Sequence, residues 1–313
     1  MKAAIVRGAG EAPVYGDFEI PIAGEGERLI RVSASALSPL TRARASGTHY
    51  SSAGGFPFVA GVDGVGTADG QRVYFVLPRA PFGGMAEHSV APAAQCIAVP
   101  NGLADADAAA FANPGMSSWA ALSERARFER GETVLVNGAT GSSGRLAVQI
   151  ARHRGAARVI ATGRDEAALA ELGADATVSL NGDADALEAR FKAVFADGID
   201  VVLDYLWGPS AHALLIAAAK AGPEGRAIRV VQIGTASGAE IPLPGAVLRS
   251  SAIELMGSGI GSVPLERLVA AVGGVFGAAV EGALHLPIRT IPLADVGEAW
   301  AAKGDDRLVF AVP

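Results

Sequence analysis

A short glycine-rich segment between two apolar stretches constrains the fold of this chain more than any other feature. Residues 134–152, VLVNGATGSSGRLAVQIAR, run from an apolar stretch through Gly138, Gly141 and Gly144 into residues whose apolar members recur at helical spacing. The apolar face of the predicted helix consists of Leu146, Ala147, Ile150 and Ala151. A strand, a tight turn and a crossover helix in this order predict a parallel sheet.

The chain after about residue 113 continues the same alternation of apolar strands and Ala-rich helices. Candidate strands cover residues 133–137, 158–162, 176–179, 200–204, 229–233 and 253–256. Six strands joined mostly by helices fit a doubly wound nucleotide-binding sheet. We therefore expect a Rossmann-type domain over residues 113–258.

The two ends of the chain have a different pattern. Before residue 113, short β-rich runs such as 28–33 and 71–76 are broken repeatedly by Gly and Pro, which predicts a β-barrel or partly open sheet. After residue 258 come an apolar helix, a strand over 286–291, a short helix over 295–302 and a strand over 307–312. This tail has no further βαβ unit, so we expect residues 1–112 and 259–313 to form one domain.

Composition excludes several classes of protein. Of 313 residues, 50% are hydrophobic and 19% are charged, which is typical of compact globular chains. A net charge of −6 gives no general attraction to nucleic acid or to an anionic membrane. The single cysteine, Cys96, excludes an intramolecular disulfide and a multi-thiolate metal site. With no signal-peptide core and no run of about 18 apolar residues, we expect a cytoplasmic protein.

The glycine-rich turn predicts binding of a dinucleotide. Gly141 and Gly144 occupy the last two glycines of a G-x-G-x-x-G pattern, and Ala139 stands in place of the first. Gly141 would allow the main chain to approach a pyrophosphate, and Gly144 would let the helix pack closely on the strand. The helix N-terminus offers unpaired N–H groups and a partial positive charge. The predicted phosphate-binding residues are Ala139, Thr140, Gly141, Ser142, Ser143 and Gly144.

The end of the second strand indicates which nucleotide binds. NAD sites usually have a carboxylate there, whereas NADP sites use a small residue and a cation. In this chain Gly163 is followed by Arg164, whose planar guanidinium suits a 2′-phosphate. Asp165 could reach a ribose, but its place before residues 166–172 makes it a good helix N-cap. We predict NADPH as the cofactor, with a solvated surface charge as the alternative role of Arg164.

Five further segments carry a resemblance to a known family. They are PFVAGVDGVG (57–66), GQRVYF (70–75), GGMAEHSV (83–90), ANPGMSSWAAL (112–122) and LGADATVSL (172–180). With the glycine-rich turn, they make the chain resemble the zinc-independent quinone oxidoreductases, the zeta-crystallin-like group of the medium-chain dehydrogenase/reductase superfamily, over nearly its whole length. The resemblance implies an α/β protein with a GroES-like β-barrel catalytic domain, a Rossmann domain and an active cleft at their junction.

The resemblance also implies that the protein works without zinc. Relatives with catalytic zinc have Cys at the position of Ser38 and a His-Glu pair at the positions of Val62 and Asp63. Without these ligands a tetrahedral zinc site cannot be assembled. Hydride transfer from a nicotinamide to a conjugated acceptor is the chemistry that is left.

Other site residues follow from the resemblance position by position. Cofactor contacts are implied at Ser117, Gly234, Thr235, Met256 and Ser258. Near the nicotinamide ribose the group usually has Asn and Asp where this chain has Ser38 and Thr41, so Ser38 is either a hydrogen-bond donor to the reactants or a plain loop residue. Tyr50 lies where the family has a Tyr at the substrate pocket, and it either orients a carbonyl or covers the barrel.

These observations predict an NADPH-dependent reductase of quinones or α,β-unsaturated carbonyls. An enoyl-thioester or 2-alkenal reductase is one alternative, and a non-catalytic NADPH-binding protein with a structural or sensory role is another. The expected partner is a small-molecule quinone or enone, without nucleic acid, membrane or metal. From the resembled family we also expect a homodimer, paired through the edge strand near 253–256.

Overall fold

The computed structural model describes residues 1–47, 55–302, 304 and 306–313. Two compact units are present: Met1–Asn113 with Val272–Pro313, and Pro114–Ala271. The later boundary thus lies at 271/272, whereas the sequence analysis placed it at 258/259.

The strands are β1 (Lys2–Val6), β2 (Val14–Asp17), β3 (Glu27–Ala36), β4 (Phe58–Val59), β5 (Asp63–Ala68), β6 (Gln71–Val76), β7 (His88–Pro92), β8 (Cys96–Ala98), β9 (Thr133–Asn137), β10 (Arg158–Gly163), β11 (Ala176–Ser179), β12 (Val201–Asp204), β13 (Ile228–Gln232), β14 (Ile253–Gly257), β15 (Ile288–Pro292) and β16 (Arg307–Ala311).

The helices connect these strands. They are α1 (Pro39–Ala45), α2 (Asp105–Ala120), α3 (Ser142–His153), α4 (Glu166–Ala170), α5 (Ala184–Ala196), α6 (Gly208–Ala221), α7 (Gly245–Arg249), α8 (Leu265–Val280) and α9 (Val296–Ala299). Among the residues that the structure describes, no helix is both long enough and apolar enough to span a bilayer.

The second unit is built on a six-stranded parallel sheet. Its strand order is β11-β10-β9-β12-β13-β14, so the chain starts in the middle, moves to one edge and then returns to build the other. Val134, Leu135 and Val136 of β9 are fully buried, because helices cover both faces of such a sheet. The doubly wound arrangement predicted from the alternation of strands and helices is confirmed.

Helix packing closes the core of this unit. Leu146, Ala147, Ile150 and Ala151 of α3 are all fully buried, as their spacing predicts. Phe191 and Phe195 of α5 pack with Leu214 of α6 and with sheet residues in one apolar cluster. Burying a large apolar side chain of this kind stabilises a fold by about 1.5–3 kcal/mol. The sheet is therefore held rigidly, and the loops at the carboxyl ends of its strands start from fixed positions.

The first unit contains two sheets. The larger has the order β15-β16-β3-β5-β6-β8, with β7 also paired to β3, and the smaller has the order β2-β1-β4. The ten-residue strand β3 is central, since β5, β7 and β16 all pair with it. The C-terminal tail enters this sheet through β16, which is antiparallel to β3 and parallel to β15.

Candidate nucleotide-binding site

The glycine-rich turn joins β9 to α3 by a very close main-chain approach. Gly138 has a φ of +90°, a conformation that L side chains rarely adopt. At Gly144 an added Cβ would lie 2.2 Å from the carbonyl oxygen of Gly138 and 2.6 Å from the Cα of Ala139. Only a hydrogen atom fits there. The absence of a side chain at Gly144 therefore lets the first turn of α3 lie directly against the end of β9.

Gly141 has a different environment. It is the N-cap of α3 and is exposed, and an added Cβ would meet no atom of the described residues within 4 Å. Packing among the described residues does not demand glycine here, and none of their side chains caps the helix. The N–H groups of the first turn, beside the half-buried Ser142 and Ser143, are thus free to bind an anion with the favourable end of the helix dipole. This cradle fits the diphosphate of a dinucleotide.

At the end of β10, a cation and a carboxylate have separate roles. The Asp165 carboxylate accepts the N–H of Ala168 at 3.0 Å and caps α4, which confirms its predicted N-cap role. Arg164 is exposed, and its guanidinium makes no hydrogen bond or ion pair with any residue that the structure describes. At Gly163 an added Cβ would lie 2.7 Å from Cγ2 of Thr140, so this glycine lets the turn after β9 pack against β10.

Three neighbouring strands of the sheet end in buried polar side chains that bond to one another. Thr162 of β10 donates its hydroxyl to the Asn137 Oδ1 of β9 at 2.7 Å, and Asn137 Nδ2 donates to Asp204 Oδ1 of β12 at 2.8 Å. All three side chains are at most 1% exposed. The sequence analysis missed this network. Its signal was a polar residue closing each apolar strand, as in VLVN, VIAT and VVLD.

The network fixes two loops at the carboxyl edge of the sheet. The N–H of Gly138 donates to Thr162 Oγ1 at 3.1 Å. Asp204 Oδ1 accepts the N–H groups of Leu206 at 3.0 Å and Trp207 at 3.1 Å. Burial raises the pKa of Asp204, while the hydrogen bonds from Asn137 and these amides oppose the rise. Trp207 has a φ of +55°, so these bonds hold it in a strained conformation.

Ser117, a predicted cofactor contact, donates its hydroxyl to the carbonyl of Pro114 at 2.8 Å within its own helix. The neighbouring Ser118 is fully buried, and its hydroxyl lies 2.7 Å from the hydroxyl of Tyr205 and 3.4 Å from the carbonyl oxygen of Ser143. Burial raises the pKa of Tyr205 to about 12, so this phenol stays protonated. These contacts place α2 beside the start of α3.

The other predicted cofactor contacts lie after strands at the same sheet edge. The N–H of Gly234 donates to the carbonyl of Asp204 at 3.1 Å, and an added Cβ there would lie 2.6 Å from the carbonyl oxygen of Tyr205. Thr235 follows and is exposed. Met256 is in β14, and the N–H of Ser258 donates to the carbonyl of Gln232 at 2.9 Å. Because the strands are parallel, these residues share the edge that carries the glycine-rich turn.

In the first unit, Ser38 has a structural role at the start of α1. Its hydroxyl accepts the N–H of Thr41 at 3.0 Å and lies 2.9 Å from Thr41 Oγ1, and both residues are buried. The interpretation of Ser38 as a hydrogen-bond donor to the reactants stays a prediction. Tyr50 lies outside the described residues.

The first unit also contains a cavity of about 360 Å³. Its lining residues are Thr41, Arg44, Gly47, Gly55, Phe56, Phe58, Val59, Gly61, Val62, Ala80, Pro81 and Phe82. The volume lies in the range of about 300–1,000 Å³ that is usual for small-molecule sites. The sequence analysis named Thr41 and Val62 for other reasons and missed the rest, because the lining comes from three separate stretches of the chain.

Asp63, at a position where zinc-dependent relatives have a ligand, is buried in the first unit. Its Oδ2 accepts the hydroxyl of Tyr74 at 2.8 Å, and its Oδ1 has no hydrogen-bond partner among the described residues. Burial raises the pKa of Asp63 to about 6, although the Arg307 charge opposes the rise. In the described part of the chain, no three His, Cys, Asp or Glu side chains gather where they could hold a metal ion.

Comparison with known proteins identifies the family. A model described as zinc-binding dehydrogenase matches residues 144–272, a span that excludes positions 38, 62 and 63. A probable NADPH-dependent quinone reductase of Emericella nidulans is 30% identical over 96% of both chains. Prostaglandin reductase-3 of Bos taurus is 28% identical over 75% of this chain and 65% of its own.

A solved structure agrees with these relatives. The quinone oxidoreductase of Thermus thermophilus, described alone and in complex with NADPH, is 28% identical, covers 99% of this chain and 100% of its own, and superposes with a TM-score of 0.80. The predicted fold class, a GroES-like domain with a Rossmann sheet, is thereby confirmed. As the sequence motifs predict, the chain belongs to the quinone oxidoreductase group of the medium-chain dehydrogenase/reductase superfamily.

Proposed function

We propose that the protein is an NADPH-dependent reductase that transfers hydride to quinones or α,β-unsaturated carbonyls without zinc. The observation that carries the proposal is the pairing of two features at one sheet edge. Among the described residues no side chain caps the helix that follows Gly141, and none pairs with Arg164, which follows the neighbouring strand β10. The names of the Emericella and Thermus relatives support NADPH and a quinone as the reactants.

In this proposal the main chain binds most of the nucleotide. The diphosphate lies against the N–H groups at residues 139–144, and the Arg164 guanidinium binds the 2′-phosphate beside Gly163. Further contacts are assigned to Ser117, Gly234, Thr235, Met256 and Ser258. The Asn137, Thr162 and Asp204 network keeps the loops that carry these groups in place.

Positioning supplies most of the rate enhancement in the proposed reaction. When bound, NADPH supplies a hydride that, with one proton from water, reduces a quinone to a hydroquinone or an enone to a saturated carbonyl and leaves NADP⁺. Fixing donor and acceptor in near-attack geometry can lower a barrier by about 7–11 kcal/mol. The apolar cavity of the first unit is our proposed acceptor site. No strong acid or base is then required of the chain.

Replacing Arg164 tests the choice of cofactor. The change Arg164→Ala removes a charge-assisted contact worth about 1.5–3 kcal/mol, so it should weaken NADPH binding by about one to two decades. NADH lacks the 2′-phosphate, and its dissociation constant should stay within about twofold. Calorimetric titration of both nucleotides measures this, with Arg289→Ala, an exposed arginine of β15, as the control. Equal losses for NADPH and NADH would contradict the assignment.

A second acceptor class is favoured by one relative. The name of the Bos taurus protein, prostaglandin reductase, supports reduction of an enone, as does the alternative of an enoyl thioester or 2-alkenal. Oxidation of NADPH, followed by absorbance against a panel of quinones, alkenals and enoyl thioesters, distinguishes these acceptors. Tight NADPH binding without turnover of any of them would leave the non-catalytic role.

We also propose a cytoplasmic homodimer. Strand β14 is the edge of the six-stranded sheet, and its Glu254 and Leu255 are exposed, so the strand can pair with its copy in a second subunit. Sedimentation of the purified protein at micromolar concentration tests the dimer, and a monomer would contradict it. The cytoplasmic location rests on the single cysteine.

A further inference from the structure

The cavity of the first unit has an aromatic part. Phe56, Phe58 and Phe82 line it, and the rings of Phe56 and Phe58 have centroids 5.5 Å apart at an interplanar angle of 37°. Val59 and Pro81 extend the apolar wall. Surfaces of this kind bind flat, apolar molecules, because aromatic rings favour offset or tilted stacking.

One charged side chain, Arg44 of α1, is present among the described lining residues. It is half-buried, and its guanidinium makes no hydrogen bond or ion pair within the described ranges. Its neighbour Arg42 is exposed and donates to the carbonyl of Ala302. Burial lowers the pKa of Arg44, which means that the charged form has lost hydration without gaining a partner.

A partly dehydrated guanidinium is best stabilised by an anion. Hydrogen bonds between two ionised groups are roughly twice as strong as those between neutral groups, and a carboxylate matches the planar fork of arginine with two parallel bonds. A neutral carbonyl would accept one such bond and leave the charge uncompensated. The position of Arg44 beside the phenylalanines therefore favours an occupant with both a flat apolar part and an acidic group.

We propose that the substrate of this cavity is a flat, apolar carbonyl compound bearing a carboxylate or similar anion, with its ring against Phe56, Phe58 and Phe82 and its anion paired with Arg44. The inference rests on the proposed function for the identity of the reaction, and it adds the charge class of the acceptor. It makes Arg44 a specificity-determining residue.

Binding of unreactive probes tests the charge preference apart from turnover. Calorimetry compares 2-naphthoate with neutral 2-naphthamide, which share one ring system. The wild-type protein should bind 2-naphthoate at least about tenfold more tightly, since a charge-assisted pair of this kind is worth about 1.5 kcal/mol or more. Arg44→Met should lose about tenfold for naphthoate and less than about twofold for naphthamide, and Arg44→Lys should fall between.

Arg42→Met is the matched control, because it removes a cation from the same helix but outside the cavity, and it should bind both probes as the wild type does. Wild-type protein that binds the two probes equally would overturn the inference. So would a loss in Arg44→Met that is the same for both, which would indicate a neutral hydrogen bond or a packing role.

Turnover separates this inference from the proposed function. Rates are compared for 1,4-naphthoquinone and 1,4-naphthoquinone-2-sulfonate, and Arg44→Met should lower kcat/KM about tenfold for the sulfonate alone. Turnover of both quinones without a charge preference would overturn the role of Arg44 and leave the reductase function intact. Binding of naphthoate through Arg44 without reduction of any acceptor would support the cavity assignment and contradict the reductase function.

Discussion

The two units of the molecule each bury a carboxylate, and they stabilise it differently. Asp204 in the second unit accepts hydrogen bonds from three described donors, the Asn137 side chain and two main-chain amides of the loop that follows. Asp63 in the first unit accepts only the Tyr74 hydroxyl among the described residues, and one of its oxygens has no partner. A carboxylate bound by amides fixes a loop, whereas one that lacks donors becomes a group that titrates.

The largest expected effect comes from removing the acceptor in the second unit. Asp204→Leu keeps the branched shape of the side chain but leaves the amides of Leu206 and Trp207 without their side-chain acceptor, and Asn137 Nδ2 keeps only its bond to Ser210 Oγ. Buried donors without partners cost about 1–3 kcal/mol each, so the loss at the two amides should lower the free energy of unfolding by at least about 2 kcal/mol. Urea unfolding measures this. Asp204→Asn keeps one oxygen and should retain most of the stability, and similar losses in both variants would break the comparison.

Titration of the buried Asp63 carboxylate in the first unit should make the free energy of unfolding depend on pH. With a pKa of about 6 in the folded state and about 3.9 in the unfolded chain, Asp63 binds a proton in the native protein where the unfolded chain has lost it. Stability should therefore fall as pH rises from about 4 to about 6 and then level off, by at most about 3 kcal/mol in total.

Asp63→Asn is the reference for that measurement, because the amide does not titrate. Unfolding free energies of wild type and variant are determined across the same pH series, and their difference should shift in favour of the variant up to about pH 6 and stay constant above it. Parallel curves would show that Asp63 is ionised throughout and would contradict its raised pKa.

Smaller effects are expected from replacing two glycines of the turn after β9. These replacements test whether the main chain of this turn binds the nucleotide. Gly144→Ala puts a Cβ 2.2 Å from the carbonyl oxygen of Gly138, and such overpacking costs about 1–3 kcal/mol. In Gly141→Ala the added Cβ meets no atom within 4 Å in the part of the chain that the structure describes, so the variant should keep the wild-type Tm. Both should bind NADPH and NADH more weakly. Wild-type nucleotide binding in Gly141→Ala would show that no ligand approaches this part of the main chain.

Much of the second unit could be predicted because its signals are local in the sequence. The apolar spacing of α3, the glycines beside it and the N-cap position of Asp165 all depend on neighbours within a few residues. The buried face of α3, the close packing at Gly144 and the Asp165 cap are present as expected, and the role of Gly141 at a pyrophosphate stays a prediction.

The parts that could not be predicted depend on long-range proximity. Asn137, Thr162 and Asp204 meet only because three parallel strands align their carboxyl ends, and a polar residue at the end of an apolar strand is by itself an ordinary feature. Arg44 was overlooked for a related reason: its phenylalanine neighbours, and its lack of a partner among the described residues, become visible only when loops distant in sequence are placed together.

The chain of side-chain bonds from Thr162 through Asn137 to Asp204 has a consequence for the motions of the sheet edge. It connects the amide of Gly138 in one loop with those of Leu206 and Trp207 in another. Opening any one of these loops requires the shared side chains to release the other. In deuterated solvent the three amides should therefore exchange their protons together, as a single cooperative unit, although they belong to loops that are far apart in the sequence.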